Sequence, residues 1–189
     1  SAEAAVPQYM DDRLPLDPAT RRQEPLITFQ RGAVVHFAMS DSDIQMCTKL
    51  DGKNSYFLPF NQGRDGRKGN PIREDGEYPV AYFWEQVCQR DNWLRIFHSF
   101  VYTEKKEVVD LAGNHKKRET QIFPRFHQWK AVTRMIEDAK GKAPGQSYLC
   151  EHSAGSGKTS TIAWTAHDLI RLRTDAGASL FHSVIVVTD

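Results

Sequence analysis

The stretch His152-Ser-Ala-Gly-Ser-Gly-Lys-Thr159 constrains this chain most, because a turn of that composition needs a particular scaffold around it. Small residues at Gly155, Ser156 and Gly157 let successive backbone N–H groups wrap an anion. Lys158 would reach the outer phosphates of a nucleotide, and the Thr159 hydroxyl would take one position on Mg²⁺. Ser153 and Ser160 stand beside them as further candidate contacts. Such a loop joins a buried strand to a helix. Gln146-Ser-Tyr-Leu-Cys-Glu151 precedes it with a β-leaning apolar centre, which predicts a strand. Ile162, Ala166, Leu169, Ile170 and Arg173 follow at helical spacing. They predict a helix that starts near Gly157 and turns its positive end toward the phosphates. Ser183-Val-Ile-Val-Val-Thr188 then predicts a strand buried on both faces of a parallel sheet. Strand, loop, helix and strand make a βαβ unit. His152 stands where such loops usually open with Gly, at a position that turns the chain without touching phosphate. The plain alternative is a Gly/Ser surface turn before an unrelated helix, and the flanking pattern argues against it.

Composition narrows the classes. The chain has 189 residues and a formal net charge of +1, so no global charge marks it for a polyanion or a membrane surface. No apolar run approaches the roughly 20 residues that span a bilayer. Ser1-Ala-Glu-Ala-Ala-Val-Pro7 lacks the basic flank and apolar centre of a signal peptide. Cys47, Cys88 and Cys150 are widely spaced and form no zinc pattern, which predicts three small buried residues in a reducing compartment. There is no initiating Met, and the chain stops just after a strand-like run. Both ends are therefore expected to be cut from a longer protein.

Along the chain, Pro7, Pro15, Pro18 and Pro25 predict a short helix at most over residues 1–30, then extended loop. Ala33–Met39, Ile44–Leu50 and Ser55–Leu58 read as three strands. With turns at Ser40–Asp43 and Asp51–Asn54, they predict an antiparallel meander. Asn61–Pro71 sets three glycines among Arg64, Arg67 and Lys68. A mobile, solvated loop is its plain reading, and a basic loop touching phosphate is the sharper one. Phe83, Trp84, Val87 and Cys88 predict one helical apolar face. Leu94, Phe97 and Val101 predict another on a helix capped by Asp91. Glu104–Glu119 is charged, with a Gly113-Asn114 turn and the basic run His115-Lys-Lys-Arg118. It reads as a hairpin or linker whose basic run is a solvated face before it is a DNA contact. Phe123-Pro-Arg-Phe-His-Gln-Trp-Lys130 opens a second domain. Pro124 suits a first helical turn, Trp129, Val132, Ile136 and Ala139 give an apolar face, and Lys140–Gly145 supplies the breakers. The expected domains are 1–103, a linker or hairpin at 104–120, and 121–189.

Placed before the glycine-rich loop, Phe123-Pro-Arg-Phe-His-Gln128 resembles the adenine-reading motif of superfamily 2 helicases and translocases. That resemblance implies that the Gln128 amide, with one donor and one acceptor side by side, reads the edge of adenine. Arg31–Ala38, Phe57–Asn61, Gly69–Pro71, Phe83–Asp91, Phe123–Gln128, His152–Lys158 and Ser183–Asp189 resemble, in order, consecutive blocks of the restriction subunit of type I restriction–modification enzymes. The resemblance covers nearly the whole chain. It implies an α/β (α+β) fold: the C-terminal part of a PD-(D/E)xK-type nuclease domain, followed by the start of a RecA-like P-loop domain. It implies ATP and Mg²⁺ as cofactors, and translocation of double-stranded DNA before cleavage far from the recognition site. Such a protein is a site-specific deoxyribonuclease in the bacterial or archaeal cytoplasm. Its partners are a methyltransferase subunit and a specificity subunit.

The departures are equally informative. No Asp followed by Glu-x-Lys lies in a strand context. Glu104-Lys-Lys106 matches the triplet formally but falls in the charged segment. No complete catalytic set is therefore expected, nor appreciable nuclease or ATPase activity from this stretch alone. Gln8 and Tyr9 resemble a Gln/Tyr element that follows the nuclease core in these subunits. The acidic Mg²⁺ box and the second motor domain are expected beyond Asp189. Arg64, Arg67 and Lys68 are candidates for coupling nuclease to motor by reaching toward bound nucleotide. The rivals are another superfamily 2 translocase, a simple P-loop kinase or GTPase, and a non-catalytic docking module.

Overall fold

The computed structural model describes residues 2–64, 66–109, 113–142, 145–153 and 155–187; the expectations at Asp65, Ala143, Pro144, Ala154, Thr188 and Asp189 lie outside them. Two compact units divide the chain, Ser1–Arg125 and Phe126–Asp189. Among the described residues the fold mixes α and β, with four α-helices, one π-helical turn and two small antiparallel sheets. No helix among them is long and apolar enough to cross a membrane.

The first unit opens with helix α1 (Ala2–Asp12), which carries Pro7 inside it. The loop that follows closes tightly on itself. A Cβ on Gly32 would lie 2.2 Å from the Leu26 carbonyl oxygen, so only glycine fits there. The meander then forms as expected, from β1 (His36–Met39), β2 (Ile44–Cys47) and β3 (Leu58–Pro59) in the order β1-β2-β3. His36 pairs with Cys47, Met39 with Ile44, and Met46 with Leu58. β1 and β2 are shorter than the sequence suggests, with β1 beginning at His36 and β2 ending at Cys47, and side chains fasten the turns between the strands. Ser40 Oγ accepts the Asp43 N–H at 3.0 Å, and Ser55 Oγ accepts the Asp51 N–H at 2.8 Å.

Aromatic packing closes this unit. Phe37 meets Phe60, Phe83 and Phe123 edge-on, with ring centroids 5.2, 4.7 and 5.9 Å apart. Each such contact adds about 0.5–1.5 kcal/mol beyond the area it buries. The buried Tyr82 hydroxyl donates to the Phe60 carbonyl at 2.7 Å, and burial raises its pKa.

Around that cluster two predicted helical faces are corrected. Phe83–Val87 is a π-helical turn with Val87 buried but Trp84 and Cys88 exposed. Helix α2 (Arg90–Ser99) starts after Gln89, not Asp91, which instead sits in the first turn. Leu94 and Phe97 are 56% and 39% exposed, whereas Ile96 and Phe100 are fully buried. Trp93, Ile96 and Phe100 have the same i, i+3, i+7 spacing as Leu94, Phe97 and Val101, one residue earlier. Periodicity alone therefore cannot choose between them. The choice falls to tertiary packing, where Trp93 reaches Phe123 at 6.1 Å.

Strands β4 (Tyr102–Val109) and β5 (His115–Ile122) form an antiparallel hairpin from Tyr102↔Ile122 to Val109↔His115, within the first unit. Its outer half is exposed on both strands, so the basic run His115–Arg118 is solvated. The expectation of three buried cysteines is also corrected. Cys47 is buried on β2, while Cys88 and Cys150 are exposed where the chain leaves regular structure.

In the second unit α3 (Phe126–Gly141) packs against α4 (Lys158–Arg171). The α3 face is as expected, with Trp129, Val132 and Ile136 buried. Pro124 lies just ahead of the helix rather than in its first turn. The α4 face is corrected: Thr161, Trp164 and Asp168 are buried, and Ile162 and Ile170 are exposed. The expected strands at 146–151 and 183–188 are not formed among the described residues. Leu149, Ile185 and Val187 stand 86%, 85% and 88% exposed. A strand exists only when a neighbour takes its N–H and C=O groups, and no described residue of this unit offers one.

Candidate functional site: the glycine-rich loop at the start of α4

The loop comes first because its backbone sets everything else. Gly155 and Gly157 hold φ of 70° and 80°, in the left-handed region that side chains avoid. Gly157 is the N-cap of α4, and among the described residues no side chain caps the helix. Its first turn therefore presents backbone N–H groups that no described side chain accepts, at the positive end of a helix. Lys158 and Thr159 are the first two helical residues, and both are exposed. Ser153 is exposed and Ser160 half-buried. Ser156 is buried, and its N–H donates to the Ser153 carbonyl at 3.3 Å. Its Oγ has no hydrogen-bond partner among the described residues.

Behind the loop lies the first turn of α3. His127 Nε2 donates to the Ser156 carbonyl at 3.2 Å. The acceptor is a carbonyl, so the proton sits on Nε2. Gln128 is buried, and its Nε2 donates to two carbonyls, Ser156 at 3.2 Å and Gly157 at 3.0 Å. The fit is close enough that a Cβ on Gly157 would lie 2.4 Å from Gln128 Nε2. The φ of 80° favours glycine there, and the absent Cβ leaves room for the amide. The His127 and His152 rings pack edge-to-face at 5.0 Å. Sequence reasoning singled out Gln128 but missed His127 as part of the site; its position beside Gln128 was the available signal.

The predicted apolar face of α4 is present but open. Ile162, Ala166 and Leu169 line a groove of about 400 Å³ together with Ile185 and Val187. It runs beside Lys158.

The donor set fits a nucleotide with Mg²⁺. An uncapped helix N-terminus, a lysine and a hydroxyl suit a polyphosphate and a hard cation. Mg²⁺ is commonly held by one or two protein oxygens plus substrate phosphates. Among the described residues no group of three His, Cys, Asp or Glu could hold a metal by itself. Glu104 and Lys106 pair with each other at 3.0 Å on the exposed hairpin.

The remaining sequence candidates belong to the first unit. Gln8 is exposed on α1. Tyr9 packs over His36 and Phe57 at 6.1 and 5.7 Å and donates its hydroxyl to the Phe37 carbonyl at 3.1 Å. Arg64, Arg67 and Lys68 are exposed on a loop that is fastened at its base. Gly63 N–H donates to the Gly69 carbonyl at 2.9 Å, and Gln62 N–H to Asn70 Oδ1 at 2.8 Å. Asn70 Nδ2 donates in turn to the Ser42 carbonyl and to Asn61 Oδ1, at 2.8 and 2.9 Å. This clasp was not foreseen, although Asn61 and Asn70 bracket the basic residues in the sequence. No family model, no curated protein and no solved structure matches the chain.

Proposed function

We propose that the second unit binds the triphosphate of ATP with Mg²⁺, as part of the first motor domain of a type I restriction subunit. Backbone N–H groups at the head of α4 hold phosphate oxygens, Lys158 neutralises their charge, and Thr159 supplies an oxygen to Mg²⁺. The observation that carries this reading is the left-handed, uncapped Gly157 immediately before Lys158 and Thr159. The ordered resemblance along the chain extends the proposal to the whole protein: an ATP-driven translocase and endonuclease acting on double-stranded DNA with methyltransferase and specificity subunits.

Titration calorimetry of the full chain with Mg-ATP tests the binding step. Lys158→Ala should weaken binding tenfold or more, since it removes a charge-assisted contact worth about 1.5–3 kcal/mol. A wild-type chain that takes up no Mg-ATP would overturn the proposal.

A further inference from the structure

We propose that the outer edge of β5 is a docking site for an extended, acidic segment of a partner protein, which adds to the β4–β5 hairpin as a third strand. The site lies wholly in the first unit and does not depend on the nucleotide-binding reading of the second.

A cavity of about 680 Å³ lies between β5 and the meander. Clefts that hold ligands commonly measure ~300–1,000 Å³. The lining shows how the cavity meets the strand. Consecutive residues from Lys117 to Phe123 all line it. Successive side chains of a strand point to opposite faces, so a cavity against one face would meet alternate residues only. Contact with the unbroken run places the cavity along the edge of β5, where backbone N–H and C=O groups lie. Among the described strands β5 pairs with β4 alone, so no described strand occupies that edge. Such an edge is a template for another extended chain. Lys117–Ile122, at about 3.3 Å per residue, offers about 20 Å of it.

The side chains define the occupant. Met46 and Leu58, paired across β2 and β3, join Phe29 in an apolar part of the lining. The acidic groups of the lining are engaged by the protein itself, Asp51 with Lys49 at 3.8 Å and Glu119 with Lys105 at 2.9 Å. Lys117 and Arg118 are exposed, and among the described residues neither forms an ion pair. Arg118 also stands directly opposite Lys106 in the ladder. Like charges so placed destabilise a strand pair. Lys106 is relieved by Glu104 at 3.0 Å, and Arg118 has no such relief among the described residues. A carboxylate on an added strand, beside Arg118 on the same face, supplies it. Cations at an edge ordinarily keep other strands away. They repel a basic strand and attract an acidic one, so the same charges select the partner.

Peptide binding tests this on the full chain. Fluorescence anisotropy follows titration with a labelled hexapeptide of alternating Glu and Val. The comparators are the matching Lys/Val peptide, the Glu/Val peptide with every backbone amide N-methylated, and a single-stranded oligothymidylate. The Glu/Val peptide should bind about tenfold or more tighter than each comparator. Its binding should slow amide hydrogen exchange between Lys117 and Ile122 and leave His36–Met39 unchanged. Arg118→Glu and Lys117→Glu should each weaken it about threefold to fivefold, as for an exposed ion pair, with thermal unfolding unchanged. Should a charge reversal disturb the hairpin, Arg118→Gln removes the charge alone and should weaken binding in the same direction. Equal affinity for acidic and basic peptides, undiminished binding after N-methylation, or no binding of the Glu/Val peptide would overturn the inference. Tighter binding of the oligothymidylate, lost in Arg118→Glu, would also overturn it and make this edge a nucleic-acid surface.

Discussion

The two units differ in how fully each satisfies its own backbone. In the first, β1, β2 and β3 follow one another through short turns, and each finds its partner nearby in sequence. Four phenylalanines then close over the sheet. In the second, two helices pack together, but the apolar runs around Leu149 and Val187 lie bare. An antiparallel meander is completed by contacts local in sequence, whereas no described residue of the second unit pairs with its apolar runs. The same apolar, β-branched composition therefore yields a buried strand in one unit and an exposed segment in the other.

That contrast can be broken most sharply at Phe60. The ring is fully buried and touches Phe37, Phe83 and Phe123. Phe60→Ala should cost about 3–5 kcal/mol, read as a large fall in the denaturant midpoint of the first unit. An unchanged midpoint would mean that the aromatic cluster does not hold the sheet.

A smaller effect should come from pH. Burial depresses the His36 pKa below its ordinary value of about 6.5. The unfolded chain then binds the proton more readily than the folded one. Stability should be complete above about pH 6.5 and decline as the pH falls below it, because ∂ΔG/∂pH is positive where the unfolded state holds more protons. His36→Phe should flatten the His36 part of that slope in a pH series of unfolding curves; an identical slope would assign the loss to other groups. The smallest effect belongs to the second unit's bare segment. Leu149→Ala should change stability by no more than about 0.5 kcal/mol, as expected for an exposed side chain. A cost near that of Phe60→Ala would show that Leu149 is buried in solution and that the two units do not differ in this way.

The sequence made some of this legible for physical reasons. The meander was readable because polar turn residues at Ser40–Asp43 and Asp51–Asn54 punctuate apolar strands. The start of α4 was readable because Gly157 followed by Lys158 and Thr159 leaves few alternatives. The buried faces of α2 and α4 were not. In α2, Trp93, Ile96 and Phe100 compete with Leu94, Phe97 and Val101 at identical spacing, and tertiary packing decides between them. In α4 the expected Ile162, Ala166 and Leu169 do share a face, but it lines an open groove while Trp164 turns inward. The hold of Gln128 on the loop was illegible for another reason: nothing in composition tells which carbonyls a buried amide will find.

The most direct test of the phosphate-binding loop is a ¹H–¹⁵N titration of the full chain with Mg-ATP. Amides of Gly155, Gly157, Lys158 and Thr159 should shift and saturate together, while those of His36–Met39 stay in place. Saturating Mg-ATP that leaves the four loop amides unmoved would contradict a nucleotide site at the head of α4.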